Sequence, residues 1–466
     1  MSTEFESLLS TLLEQKPDLS RSTVNEMIQQ KKEKIGAGYL TDQGALFLIA
    51  SDLGISLSEP LRVEMKLKDL YVGAKEITLQ TRVMSLSPPK QFLRKDGSQL
   101  VLRNMIVYDS DSRASVKLWE ENASLPSLEK LKPGDLIKII KAYVKSDLRG
   151  NPTINIGSGA TIEKSESESD IPSIDSITTD VSSLKEDQHN LVVSGLIDGS
   201  IRYSEFTTFR GQPGKALHLR LKGQDKNSIR VVLWGKDESS IPKMIVPGAK
   251  SRLIGVRTKI GKQGLEIHGD ESTFIEIEGE DEIKSIIIRI LSITKNEQGT
   301  TLILAVDKNK KLFNIKDSSD VTKNLKTGET IECMPSKVYG NSISLESNSY
   351  LKKIDGENLP SVSDLRTKIR EIKPSNSPYC IEAIVLKLPE RKEVQTRTGE
   401  SVALSQILIE DDTGQIWLKG WRNQARMIDT CSLGEIISIG GVTAKVGLEG
   451  KVELILSPFS VIIKKN

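Results

Sequence analysis

The sequence predicts a mainly β protein in which four small tandem barrels follow a small N-terminal helical domain. Three observations support this fold. Apolar residues recur with helical period only at the start of the chain, and short alternating runs separated by Pro, Gly, Asp and Ser clusters follow. Acidic, Ser-rich breaks divide these runs into units of similar length. The units also align with one another, which indicates an internal repeat.

The predicted helical domain is a small acidic unit. Thr41 is a predicted N-cap and Gly54 a predicted C′ residue of its last helix. The domain holds 5 Lys and Arg against 8 Asp and Glu, so we expect it to bind proteins rather than nucleic acid. One apolar stripe at helical spacing is formed by Phe5, Leu8, Leu9, Leu12 and Leu13.

The acidic breaks set the predicted boundaries. The helical domain covers residues 1–57, the barrels cover 58–163, 188–275, 283–355 and 372–466, and 164–187 is an acidic, Ser-rich linker. The first and second barrels are the most basic units, with 17 Lys and Arg against 13 Asp and Glu, and 14 against 8. The acidic linkers keep negative charge away from these barrels.

Tryptophans define the repeat. Trp119, Trp234 and Trp421 each end an alternating run, and a turn glycine follows 15, 14 and 13 residues later. In the remaining unit Phe313 stands 15 residues before Gly328. Five strands, a short segment between the third and fourth, and a closing hairpin describe the OB-fold, a five-stranded Greek-key barrel.

The ordered units resemble the replication protein A family of single-stranded-DNA-binding proteins, most closely the long archaeal form of its large subunit. The first barrel carries the resemblance in VEMKLKDLYVGAKEITLQTRVMSL, FLRKDGSQL and SVKLWEENA. The resemblance covers essentially the whole chain. It implies a non-catalytic protein that coats and protects single-stranded DNA without sequence preference in replication, repair and recombination. It also implies a cytoplasmic, nucleoid-associated location.

The resemblance implies that the aromatic ending the third strand stacks a base. That role falls to Trp119, Trp234 and Trp421, whereas for Phe313 we expect core packing. Trp417 shares a face with Trp421 and is either a second stacking platform or part of the core.

The loops of the barrels supply cations for phosphates and further aromatic faces, as single-strand binding requires. The loop between the first two strands contains Phe92, Arg94 and Lys95 in the first barrel, Phe206, Phe209, Arg210 and Lys215 in the second, and Arg391, Lys392 and Arg397 in the fourth. The corresponding loop of the third barrel, TKNEQGT, is short and nearly neutral, so we expect that barrel to bind more weakly or to be structural. The hairpin between the last two strands contains Lys145 and Arg149, then Arg257, Lys259 and Lys262, then Lys445 and Lys451.

The chain departs from the family in two ways. Relatives often carry a second stacking aromatic in the last hairpin, where this chain has Leu148, Ile260 and Leu448. The three cysteines lie far apart, so the zinc ribbon of some members is missing and we expect no metal or cofactor.

The sequence bears on three rival functions. An enzyme is disfavoured, because the three histidines lack metal-ligand spacing and GVRTKIGKQG departs from the phosphate-loop pattern. An RNA-binding OB protein stays open, since stacking needs no contact to a 2′-hydroxyl. A protein-binding scaffold also stays open for the third barrel and the N-terminal helices, which are predicted to bind replication or repair proteins.

Small partner subunits are a further predicted class of partner. The polar N-terminus and the lack of an 18-residue apolar run predict a soluble, intracellular protein without membrane partners.

Deletion of residues 1–57 is expected to leave oligonucleotide affinity within about a factor of three, because no phosphate contact is lost. Fluorescence anisotropy with labelled oligo-dT would measure this. A tenfold loss in the truncated protein, with its barrels shown to be folded by circular dichroism, would mean that the helices take part in binding.

Overall fold

The computed structural model describes residues 3–35, 41–55, 65–93, 97–148, 150–166, 169–209, 211–261, 264–355, 358–396, 399–447 and 450–465. Within these ranges the chain folds into a helical domain and four β-sheets that follow one another in chain order.

The N-terminal domain buries its own apolar stripe. Leu12 of the first helix packs with Val24 and Leu46 in one core, so the stripe is covered by the two other helices of the domain. The Thr41 side chain accepts a hydrogen bond from the Gly44 N–H at 3.1 Å, which is the predicted N-cap. The helices are α1 (Thr3–Gln15), α2 (Arg21–Ile35) and α3 (Asp42–Asp52).

Barrel 1 is a closed ring of five strands. Its strands are β1 (Ile77–Leu86), β2 (Lys90–Leu93), β3 (Gln99–Tyr108), β4 (Arg113–Trp119), β5 (Leu136–Ser146), β6 (Pro152–Ile156) and β7 (Thr161–Lys164). The order β1-β3-β4-β6-β5 returns to β1, because β1 pairs with both β3 and β5. These five are the first to fifth barrel strands in the order β1, β3, β4, β5 and β6. The short β2 extends the hairpin between the first and second barrel strands.

Barrel 2 repeats this ring. Its strands are β8 (Thr178–Asp180), β9 (Leu191–Ile197), β10 (Arg202–Thr207), β11 (Pro213–Lys222), β12 (Ser228–Trp234), β13 (Met244–Ile245), β14 (Lys250–Gly261), β15 (Gly264–Gly269) and β16 (Phe274–Ile277). The order β9-β11-β12-β15-β14 closes on β9. The hairpin of β10 and β11 corresponds to that of β2 and β3.

Barrel 3 has a divided fourth strand. Its strands are β17 (Ile286–Lys295), β18 (Thr301–Val306), β19 (Leu312–Asp317), β20 (Thr330–Met334), β21 (Lys337–Tyr339), β22 (Ser342–Leu345) and β23 (Tyr350–Lys353). β20 pairs with β17, whereas β21 pairs with β22, and Pro335 lies at the break. Proline has no N–H to donate, so the ladder is interrupted there. β13 of barrel 2 pairs with β21, so barrel 2 supplies an edge strand of this sheet.

Barrel 4 is again a closed ring, β24-β26-β27-β29-β28, because β24 pairs with both β26 and β28. Its elements are β24 (Ser375–Val385), β25 (Glu390–Gln395), β26 (Ser401–Asp411), β27 (Gly414–Trp421), α4 (Asn423–Asp429), β28 (Ile436–Val446), β29 (Val452–Ile455) and β30 (Val461–Lys465). The strand order is that of the OB-fold. The prediction of a mainly β chain with tandem OB-fold barrels and a small N-terminal helical domain is confirmed.

The segment between barrels 1 and 2 is packed rather than loose. Ile171 and Ile174 lie against an apolar cluster that buries Tyr108 of barrel 1 and Ile254 of barrel 2. Asp175 in the same segment forms an ion pair with Arg252. The composition of this segment is acidic and Ser-rich, as predicted for a linker. Its isoleucines Ile171, Ile174 and Ile177 nevertheless pack between the two barrels and hold them together.

Barrels 2, 3 and 4 meet at Asp198, which is only 2% exposed. Its carboxylate accepts hydrogen bonds from the hydroxyls of Ser375 and Ser377 of barrel 4, at 2.6 and 2.9 Å, and from Ser228 of barrel 2 at 2.6 Å. The neighbouring Gly199 accepts a backbone hydrogen bond from Asn341 of barrel 3 at 3.2 Å.

The approach of the chains at this point requires a glycine. Gly199 has a φ of +76°, and a Cβ there would lie 2.4 Å from the Cβ of Asn376. Such a contact is far shorter than van der Waals distance, so a side chain at position 199 would separate barrel 4 from barrel 2.

The alignment of Phe313 with the tryptophans is wrong. In barrel 2 the last parallel pair between the third and fifth strands is Leu233–Gly269, and Trp234 follows it. In barrel 3 that pair is Asp317–Leu345, so the equivalent position is Ser318. Phe313 points inward and is 2% exposed, in agreement with the expectation of core packing.

Phe313→Ala is expected to lower the free energy of unfolding of barrel 3 by about 3–5 kcal/mol, the cost of a large cavity in a core. Urea titration followed by circular dichroism would measure it. Lys316→Ala, on the outward face of the same strand, should change stability by less than about 0.5 kcal/mol. A loss below about 1 kcal/mol for Phe313→Ala would contradict the core assignment.

Candidate nucleic-acid interface

The tryptophans that end the third barrel strands point away from the cores. In β12 the side chains of Val231 and Leu233 are buried in the core of barrel 2. Successive residues of a strand face opposite sides, so Arg230 and Trp234 lie on the outside. Trp234 is 40% exposed. We call the outward side of the second, third, fourth and fifth strands of each barrel its outer face.

On barrel 2 the outer face carries an aromatic pair. Phe206 of the β10–β11 hairpin and Trp234 meet edge to face, with ring centroids 5.6 Å apart and planes at 85°. The register places Phe206 opposite Gly214, and a Cβ at Gly214 would lie 2.5 Å from the Phe206 ring. The missing side chain of Gly214 therefore leaves room for the ring to lie across the strand. Edge-to-face geometry is the favourable arrangement for two aromatic rings.

A histidine of the fifth strand fixes the orientation of Trp234. The indole N–H of Trp234 donates to Nδ1 of His268 at 3.1 Å, and the two rings stack at 24° with centroids 6.2 Å apart. Because Nδ1 accepts, Nε2 carries the proton and donates to Glu266 at 3.0 Å. Arg230 also bonds Glu266, at 2.9 Å. Burial alone would raise the pKa of Glu266, but the hydrogen bonds from His268 and Arg230 outweigh it and lower the pKa.

We call the fifth-strand residue that accepts the indole hydrogen bond the anchor, and barrel 1 has one as well. The indole N–H of Trp119 donates to Oδ1 of Asn155 at 2.9 Å, and Asn155 is buried with its amide donating to Thr153 O at 2.8 Å. Asn155 occupies the position of His268, because both pair with the residue two before the tryptophan. Sequence reasoning missed both anchors, since they lie 36 and 34 residues after their tryptophans.

Barrel 1 carries further groups on this face. Phe92 lies opposite Leu100 on the β2–β3 hairpin, at the register that Phe206 has in barrel 2, and is 47% exposed. Lys145 lies over the ring of Tyr143, with Nζ 5.1 Å from its centroid. Tyr143 was not among the predicted residues, although its strand alternation could have indicated it. It gives barrel 1 an additional aromatic on the outer face.

The outer face of barrel 4 is built differently. Trp417 and Trp421 both point outward, so Trp417 is not part of the core. Lys387 lies over the Trp417 ring at 5.2 Å. Lys392 faces the same side as Trp421, because both pair with Leu404. Arg391 points to the opposite side, where it forms an ion pair with Asp429 at 2.6 Å, so its strand parity removes it from this face. The residue at the anchor position is Ile455, which offers no side-chain acceptor.

The cations of barrel 2 differ in their surroundings. Arg257 and Lys259 are exposed on the outer face, beside His268 and Glu266. Lys215 forms an ion pair with Asp237, and this bond together with that from Ser239 lowers the pKa of Asp237 to about 2.

Other predicted residues lie at the tips of loops. Phe209 is 93% exposed, and Lys451 is also exposed. Six predicted cations lie outside the described residues, namely Arg94, Lys95, Arg149, Arg210, Lys262 and Arg397.

A cleft of about 670 Å³ separates barrels 1 and 2 at this face. It is lined by Lys90 of barrel 1 and by Trp234, Arg257 and Glu271 of barrel 2. Lys90 bridges the cleft to Glu271 at 2.9 Å. A second cleft of about 1050 Å³ lies beside Phe206 and shares Trp234 and Glu271 with the first. The two barrels therefore present one continuous surface.

Within the described ranges, no group of three or more His, Cys, Asp or Glu side chains is placed to hold a metal ion. Among the same residues, no helix is both long enough and apolar enough to cross a membrane.

The fold and these faces define a multi-barrel OB-fold protein with an aromatic and cationic outer face on barrels 1, 2 and 4. No protein-family model matches the chain. Over 239 residues it is 25% identical to a curated protein named Replication factor A from Methanothermobacter thermautotrophicus. The match covers 49% of this chain and only 29% of that protein's length. The chain thus resembles archaeal replication factor A, as the repeated units indicated.

Solved structures give looser overlaps. A replication protein A heterotrimer bound to single-stranded DNA is 13% identical, with 86% of this chain and 96% of that chain covered and a TM-score of 0.38. A replication factor A related protein from Methanobacterium thermoautotrophicum is 26% identical over 23% of this chain and 96% of that one, with a TM-score of 0.21. The strand order alone assigns the fold.

Lys215→Ala is expected to raise the pKa of Asp237 from about 2 toward the ordinary aspartate value, with Ser239 still holding it somewhat low. The pair stabilises the fold fully above the unfolded pKa of Asp237, and this contribution is lost as the pH falls through about 2. Carboxyl NMR titration would follow Asp237, with Lys259→Ala as control. Titration still near 2 in Lys215→Ala would contradict the assigned cause.

Proposed function

We propose that the protein binds single-stranded DNA without sequence preference, with bases stacked on the outer faces of barrels 1, 2 and 4. The cluster of Trp234, Phe206 and His268 supports this proposal most strongly. It holds an exposed indole in one orientation on the outer face of barrel 2. A fixed aromatic surface loses little conformational freedom when a base stacks on it.

Aromatic faces flanked by cations suit an unpaired strand. Every base has a π-face, so stacking contributes roughly 1–3 kcal/mol per base without reading sequence. The bases of a duplex are stacked on one another and do not offer these faces. Arg257 and Lys259 beside the aromatic cluster, and Lys145 beside Tyr143, supply positive charge for the backbone phosphates. The OB-fold binds oligonucleotides on this side of its barrel.

We propose a non-catalytic role in DNA replication, in which the protein coats and protects the exposed strand. The likeness to a curated Replication factor A supports the replication role. Roles in repair and recombination, a nucleoid-associated location, and partner subunits extend this proposal. Docking of replication or repair proteins on the N-terminal helices, or on barrel 3, belongs to it as well.

Competition binding tests the proposal. Unlabelled oligo-dT should displace labelled oligo-dT at least about tenfold better than duplex DNA does. Single-stranded RNA of equal length should also displace it less well than unlabelled oligo-dT does. The logarithm of affinity should fall linearly with the logarithm of salt concentration, because bound counterions are released. Equal displacement of labelled oligo-dT by duplex DNA and by single-stranded DNA would contradict the proposal. Preferential displacement by RNA would favour an RNA-binding OB protein instead.

Trp119→Ala and Trp234→Ala should each weaken oligo-dT binding by about 1–3 kcal/mol, or roughly 5- to 150-fold in Kd. Both side chains are outside the barrel cores, so the circular dichroism spectrum and the thermal midpoint should change little. Phe313→Ala should have the opposite effect, because it lowers the stability of barrel 3 and leaves the affinity for oligo-dT largely unchanged. Unfolding of either tryptophan variant at ambient temperature would show a core role at that position.

A further inference from the structure

Part of the outer face of barrel 3 is buried. Its second and third strands align with those of barrel 2 by pairing, so Leu304 stands where barrel 2 has Arg220. Leu304 is fully buried in an apolar cluster with Val306 and with Cys380 of barrel 4. A Cβ at Gly440 of barrel 4 would lie 3.1 Å from a Leu304 methyl group. Barrel 4 therefore covers part of the surface on which barrel 3 would bind a strand.

The same packing brings barrel 4 against barrel 2, although barrel 3 separates them in sequence. A cleft of about 350 Å³ lies between them, lined by Arg202, Arg220 and Arg230 of barrel 2 and by Lys445 of barrel 4. The register places the three arginines on the outer face of barrel 2, with His218 opposite Arg202. The cleft thus continues the face that carries Trp234.

Carboxylates near the cleft are already engaged. Asp198 accepts the hydroxyls of Ser228 and Ser375, and Glu266 bonds Arg230 and His268. Glu453, which pairs in register with Lys445, forms an ion pair with Lys419 at 2.7 Å. The cleft is lined by four cations, of which Arg230 is paired with Glu266, so positive charge is in excess there.

Burial and, after it, the neighbouring cations lower the pKa values of two groups in the cleft. Burial, followed by the charges of Arg202 and Arg220, lowers the pKa of Lys445. Burial, followed by the charges of Arg230 and Arg202, lowers the pKa of His218, whose Nε2 lies 2.8 Å from the Ser204 hydroxyl. An anion in the cleft would relieve the repulsion among these groups.

We propose that a bound single strand passes from barrel 2 directly to barrel 4, that a backbone phosphodiester binds between Arg202 and Lys445, and that barrel 3 serves as a spacer. The order of contact along the strand is then barrel 1, barrel 2, barrel 4. This inference rests on the proposed single-strand binding. A phosphodiester fits because its charge needs several cations, whereas the bases need the aromatic faces on either side.

A double-mutant cycle on the full chain tests the shared phosphate. Arg202→Ala and Lys445→Ala should each weaken binding of long oligo-dT by roughly 3- to 10-fold, the scale of one charged contact. The double variant should differ from the product of the two losses by at least about threefold, because groups that bind one phosphate are coupled. Losses that multiply, or no loss in either variant, would overturn the inference.

Lys316→Ala is the matched control. Lys316 is exposed on the outward side of the third strand of barrel 3, on the path of a strand that crossed that barrel. Its affinity should stay within about a factor of two of wild type. A loss equal to that of Lys445→Ala would place the strand on barrel 3 and refute its role as a spacer.

A histidine NMR titration gives a second readout. Bound oligo-dT should raise the pKa of His218, because a nearby phosphate stabilises the imidazolium. The signal is identified by its loss in His218→Gln. An unchanged His218 pKa with saturating oligo-dT would overturn the phosphate site. If wild-type protein fails to bind oligo-dT at all, the proposed function itself fails, and the inference falls with it.

Discussion

The arrangement of the last three barrels depends on the buried carboxylate of Asp198. A buried charge is costly unless hydrogen bonds replace its lost water. Here the hydroxyls of Ser228, Ser375 and Ser377 and the N–H of Asn376 supply those bonds. Because the donors belong to barrels 2 and 4, the carboxylate is satisfied only when these barrels are in contact. The positions of the outer faces of barrels 2 and 4 relative to one another follow from this constraint.

Each outer face depends in turn on a contact across the barrel. The third strand is paired in parallel with the fifth, so a side chain on the fifth strand can reach the indole that ends the third. His268 and Asn155 use this geometry to hold Trp234 and Trp119. Ile455 cannot do so for Trp421. Barrels 1 and 2 thus hold their indoles in one orientation, whereas barrel 4 presents two tryptophans on the same side as Lys387 and Lys392.

The sequence is sufficient to predict structural features that depend only on neighbouring residues. Alternation predicts which side of a strand is buried. The expectation that Trp119, Trp234 and Trp421 face outward comes from the resemblance, and the three side chains do lie outside the cores. Alignment by spacing to a turn glycine fails for Phe313, because the loop between third and fourth strands differs among barrels while only strand pairing fixes equivalence. The side that Arg391 faces is likewise not readable from spacing, since the register of β25 decides it.

Contacts between distant segments leave no local pattern. The Asp198 junction joins positions about 180 residues apart, and its serines resemble those of any loop in sequence. The burial of Leu304 against Gly440 has the same character, because an alternating strand gives no sign of what covers its outward side. The isoleucines of the segment after barrel 1 are likewise unremarkable until Tyr108 and Ile254 are placed beside them.

We propose that the outer faces of barrels 1, 2 and 4 carry the single strand. Ultraviolet crosslinking of a long oligo-dT to the full chain, followed by mass spectrometry of the crosslinked peptides, can test this placement. We expect crosslinks at Trp119, at Phe206 or Trp234, and at Trp417 or Trp421, with none on β18 or β19. Crosslinks on barrel 3 as frequent as those on barrel 2 would contradict it.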